Sequence, residues 1–211
     1  MRPSIAIIYC KSLENEIKTI TQGVPQVTHL ESLKWALHVN PDLLLETLTD
    51  RILSLQDNFD AIMLGYGRCQ ALDRLPKFKI PIFYPQVEDC IALLMGSERY
   101  SLELNKKPKT WFLTPGWTRM GVESVFRELQ INDFADKGLS PLQVAKKMLV
   151  DYNRALFIDM EDEKDKEGLL KKANHIASDL SLKLEKTDGS LELLRDTLNR
   201  ALNSLEGLTK D

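Results

Sequence analysis

Residues 60–70 read DAIMLGYGRCQ. The apolar run at 61–64 has strand length, and it stops at Gly65. Gly67, Arg68 and Cys69 follow at once. A short buried strand that opens into a glycine-broken loop is the unit from which α/β sheets are built. The same texture recurs along the chain. Residues 5–9, 27–30, 79–84, 110–113, 156–158 and 181–185 read as further strands. The prolines of IPIFYP weaken the 79–84 strand or place it at an edge. Between strands lie helical patterns at 11–21, 31–38, 41–58, 90–95, 119–130, 141–153, 165–179 and 190–205. Asn40-Pro41 is a strong helix start, with Leu44, Leu45, Leu48, Ile52 and Leu55 on the face to be buried. Asp89 caps the helix opened by Cys90, which Gly96 stops. Thr187-Asp188-Gly189 reads as a turn, and the residues after Leu205 are expected to fray.

Strands alternating with helices of this length predict an α/β protein with a mostly parallel sheet flanked by helices. The texture changes little across residues 104–108. A division into 1–104, carrying the three cysteines, and 105–211 follows, as two pseudo-repeated Rossmann-like halves or as one continuous domain; the sequence leaves both open.

Composition narrows the function classes. The 211 residues are 43% hydrophobic and 28% charged, with a net charge of −3. That balance gives no basic footprint for nucleic acid. No apolar stretch reaches the roughly 18 residues of a membrane span. The N-terminal apolar run is too short for a signal peptide. A cytoplasmic location is the expectation, and there three cysteines are not a disulfide framework.

Those cysteines fall at strand ends. Cys10 follows the first strand, Cys69 lies shortly past the third, and Cys90 opens a helix after the fourth. In open α/β sheets ligands bind outside the carboxyl ends of the strands. Parallel strands would therefore bring three thiols to one edge. Thiolates favour zinc, copper(I) or iron–sulfur clusters. The helix dipole at Cys90 and the cation of Arg68 are expected to favour the thiolate. His38, His29, Glu88 and Asp89 are the candidates for a fourth ligand. Gly65 and Gly67 allow close backbone approach, and with Arg68 they suit an anion or a group around the metal. GxGxxG, GxxxxGK[ST] and HExxH are absent. Ser97 has no histidine partner in its vicinity, Trp117 reads as packing, and the acidic run at 159–163 reads as a solvated charge run.

The strings IIYCKSLENEI, LHVNPDLL, AIMLGYGRC, DCIALLMGSERY and TWFLTPGW, in that order, resemble an uncharacterised domain family of archaea and anaerobic bacteria, a domain of unknown function. The likeness runs from about residue 5 to residue 200. It implies that the family's cysteines fall on Cys10, Cys69 and Cys90, and its histidine on His38. This chain departs from the pattern at Gln86 and Glu88, where the family has arginine and histidine, and at Gln70, where it has glycine. The family's association with corrinoid-dependent methyl-transfer genes implies a setting in one-carbon or thiol metabolism, with a small-molecule substrate or a corrinoid protein as partner.

The leading expectation is a three-cysteine metal site, with His38 as a further ligand, holding zinc that activates a thiol or water. A [4Fe–4S] cluster on three cysteines, for redox or sulfur chemistry, is the second. A non-enzymatic module that binds an anion or a partner through the 65–68 turn is the third. Metal content and a visible spectrum after anaerobic purification separate them.

Overall fold

A computed structural model describes residues 3–131 and 138–206. The fraying expected at the C-terminus lies mostly outside these residues. The chain forms two units: Met1–Gly96 with Leu191–Asp211, and Ser97–Ser190.

In the first unit, β1 (Ile5–Cys10), β2 (Val27–Leu33), β3 (Ala61–Gly65) and β4 (Ile82–Phe83) form one sheet in the order β2-β1-β3-β4. Every pairing is parallel. β1 and β3 are buried on both faces, as their continuous apolar sequence requires. Their residues alternate between two layers. Ala6, Ile8, Cys10, Ile62, Leu64 and Tyr66 share a core with Leu44, Leu48, Ile52 and Leu55 of α2 (Pro41–Leu55). Leu45, expected on that face, is half-buried beside it. On the other face a Cβ at Gly65 would lie 2.7 Å from Tyr9 and 3.0 Å from Ile17 of α1 (Glu14–Thr21). Only glycine lets α1 settle on β1 and β3 there. β4 is short and at the edge, where prolines were expected to put it.

Asn40 caps α2 as its sequence dictates, its side chain accepting from the Leu43 N–H. Residues 31–38 depart from expectation. Instead of a helix, β2 continues to Leu33, and a 3₁₀ turn follows at Leu37–Val39. Pairing of Glu31, Ser32 and Leu33 with Ile8, Tyr9 and Cys10 of β1 overrides the weak helical preference of that stretch.

The second unit has a parallel sheet in chain order: β5 (Thr110–Leu113), β6 (Arg154–Met160) and β7 (Lys183–Gly189). Helices α4 (Ser97–Lys106), α5 (Pro115–Met120), α6 (Glu123–Glu128), α7 (Pro141–Met148) and α8 (Lys166–Asp179) accompany it, the numbering following α3 (Cys90–Met95) of the first unit. The Thr187-Asp188-Gly189 turn signal is overridden too: those residues pair with Ile158, Asp159 and Met160. The final helix, α9 (Glu192–Leu205), packs on β3, β4, α1 and α3, in the first unit. The parallel α/β class expected from the sequence is what forms, as two separate sheets. No helix among the described residues is long and apolar enough to cross a membrane.

Candidate functional site

The order β2-β1-β3-β4 places successive strands on opposite sides of β1, so the sheet has a switch point between β1 and β3. Loops there leave in opposite directions, and a crevice opens outside the two carboxyl ends. Cys10 is the last residue of β1, and Tyr66 is the first after β3. Both lie in the core beneath that crevice, and Cys69 and Cys90 pack against the same cluster.

The backbone explains how Cys69 reaches Cys90. A Cβ at Gly67 would lie 2.2–2.5 Å from backbone atoms of Asp89. No side chain fits, so the loop after β3 presses directly on the start of α3. The Arg68 N–H donates to the Val87 carbonyl (2.9 Å), and the Cys69 N–H donates to the Glu88 carbonyl (3.2 Å). Cys69 and Gln70 then take left-handed backbone conformations, with φ of 44° and 57°, which turn the chain back over the crevice. Asp89 accepts from the N–H groups of Ile91 and Ala92, both at 2.8 Å, and holds the first turn of α3. The outcome is a Cys69 Sγ to Cys90 Sγ separation of 4.0 Å.

All three cysteines are free thiols. Cys10 is buried, and the Ser12 hydroxyl lies 3.0 Å from its sulfur. The Cys90 thiol is held well above its ordinary range. Its hydrogen bond with Cys69 does most, then burial and the charge Cys69 would carry; the Gly67 backbone N–H opposes this by bonding the sulfur. The sequence led to the reverse expectation, a thiolate favoured by Arg68 and the helix end. Arg68 is instead half-exposed and paired with Asp73 at 2.7 Å, and a neighbouring thiol outweighs one turn of helix dipole.

The remaining candidates take up other places. His38 is half-buried on the Leu37–Val39 turn after β2, at the same carboxyl edge as the cysteines. His29 lies mid-strand, 3.2 Å from Glu31, which Arg51 also binds at 2.6 Å. Glu88 is exposed. Among the described residues no three His, Cys, Asp or Glu side chains form a group already arranged around a metal position. In the second unit, Asp159 and Glu163 of the acidic run pair with Lys186 and Arg119.

One residue at the crevice escaped the sequence reading. Tyr66 is 1% exposed, and its hydroxyl has no hydrogen-bond partner. Burial, foremost, and then the charge that Cys10, Cys90 and Cys69 would carry push its phenol well above the usual range. The hydroxyl thus lies within electrostatic reach of all three sulfurs. The GYG string drew attention to its glycines. The available signal was the alternation Ile62, Leu64, Tyr66, which puts a hydroxyl-bearing residue on the core face.

Fold and crevice define a class: a doubly wound parallel α/β unit whose switch point is lined by thiols. The family description "Protein of unknown function (DUF1638)" matches residues 32–198, and the chain belongs to that family. Cys69, Cys90 and His38 lie inside the matched segment, and Cys10 lies before it. No curated protein matches the chain.

Proposed function

We propose that the protein binds a thiophilic metal ion at the β1/β3 switch point, with Cys69 and Cys90 as its primary ligands and Cys10 as the third. What carries the reading is the 4.0 Å between the Cys69 and Cys90 sulfurs. Two thiolates on one tetrahedral zinc, with bonds of about 2.3 Å, stand about 3.8 Å apart. The pair needs little rearrangement to share an ion; Cys10, at the end of the adjoining strand and in the same core cluster, is the proposed third sulfur. His38, on the turn after β2, is the alternative occupant of the fourth position, which is otherwise open to a small ligand.

Zinc is the first choice of metal, and thiol or water activation for one-carbon or thiol metabolism is the chemistry it would supply. The methyl-transfer setting rests on the family likeness alone. Three free thiols suit a reducing cytoplasm. A [4Fe–4S] cluster on the same three cysteines is the other metal reading.

Anaerobic purification followed by elemental analysis tests the proposal. Stoichiometric zinc without colour is the expected result, and Cys69→Ser or Cys90→Ser should abolish it. Iron with a broad band near 400 nm (order of magnitude) would select the cluster. Protein that takes up neither metal would overturn the reading.

A further inference from the structure

Two donors at the crevice serve sulfur. The Ser12 hydroxyl serves Cys10. The Gly67 N–H serves Cys90, which also bonds Cys69. Tyr66 alone brings a hydroxyl that nothing engages, enclosed in the same core. Buried hydroxyls in native proteins are almost always paired, and an unpaired one calls for a missing partner. The side chain is 1% exposed, so bulk water does not supply that partner.

We infer that Tyr66 is a ligand-binding residue whose O–H donates to a small anionic molecule, a thiolate or an oxyanion, held among the three sulfurs at the metal's open position. This rests on the metal-binding reading. The chemistry follows from what each partner lacks. Sulfur ligands satisfy a cation and offer no strong donor to a second, anionic ligand. A phenol in the same core cluster supplies one O–H donor. An anion in contact with both metal and O–H gains a charge-assisted hydrogen bond in a desolvated place, where such bonds are strongest. The alternative occupant is a single ordered water that merely satisfies the hydroxyl.

The test uses cobalt(II)-loaded full-length protein, wild type and Tyr66→Phe, titrated separately with 2-mercaptoethanol and with acetate while the cobalt absorption bands are followed. Both proteins should take up cobalt to the same stoichiometry. Wild type should bind one anion at least about tenfold more tightly than the variant, the usual scale for one good hydrogen bond to a charged group. A loss confined to the thiol arm assigns a thiolate; a loss confined to the acetate arm assigns an oxyanion. Equal affinities in both arms would overturn the inference and leave the metal site standing. A wild-type protein that takes up no cobalt would overturn both. In wild type carrying 3-fluorotyrosine, the Tyr66 ¹⁹F resonance should move on addition of the effective anion, which guards against a misfolded variant; a resonance that stays in place counts against the inference.

Discussion

In the first unit the strand order turns back at β1, whereas in the second β5, β6 and β7 lie side by side in chain order. Both sheets are wholly parallel. Among the described residues, only the first has a point where neighbouring loops part, and only there do thiols gather around an unpartnered hydroxyl. The second unit pairs its buried polar groups instead. Arg154, 2% exposed, opens β6 and binds Glu103 at 2.6 Å, Glu185 at 3.3 Å and the Thr110 hydroxyl at 2.6 Å. One sheet closes its polar accounts internally, and the other leaves a buried hydroxyl open.

Breaking the closed network should have the largest effect. Arg154→Met removes the buried guanidinium that Glu103, Glu185 and the Thr110 hydroxyl share, leaving the carboxylates to Lys106 and Lys107 alone, and a loss of about 3–5 kcal/mol in urea unfolding is expected. A loss under about 1 kcal/mol would mean the network is not the core of the second unit. Gly67→Ala comes next. Its Cβ meets Asp89 backbone, which cannot swing aside, so about 3 kcal/mol should be lost, together with metal uptake. Gly168→Ala in the second unit is the control. The atoms its Cβ meets first all belong to the Asp165 side chain, the cap of α8, and about 1 kcal/mol is expected. Equal costs at the two glycines would erase the contrast between a backbone clamp and a movable cap.

Tyr66→Phe should act in the other direction. With the unpaired hydroxyl gone, the metal-free protein should gain about 1 kcal/mol, read from thermal melts. A destabilised variant would show that the hydroxyl has a partner in the free protein. The smallest effect is in pH dependence. Lys106 and then Arg154 hold Glu103 low, and Lys107 and then Arg154 hold Glu185 low. Depressed carboxyls contribute stability above their unfolded value of 4.5, which is lost as pH falls through the lower folded values. Cys90 is raised, so its contribution is full below 9.0 and fades as pH rises beyond it. Hydrogen exchange should therefore show alkali loosening the first unit before the second.

β1 and β3 were legible because both are continuous apolar runs, the second ended at Gly65. Thr110–Leu113 was legible to the residue. Segments 31–38 and 187–189 misled, because their partners lie far off in sequence and decide their state. The cysteines were legible as strand-end residues. Their spacing was not, since it depends on the strand order and on a Gly67–Asp89 contact that no local pattern encodes. Tyr66 was hidden for a related reason: a missing partner is visible only when all neighbours are in place.

The placement of α9 bears on how the chain is made. A ribosome would deliver β1 to α3 first, then the whole of Ser97–Ser190, and only afterwards the helix that covers β3 and β4. The inserted unit can fold as soon as it emerges, while the earlier one waits with apolar strands bare. Nascent chains stalled to expose residue 190 should resist protease in segment 97–190 before segment 1–96. The thiol-lined half would then mature after the inserted one, once α9 has emerged.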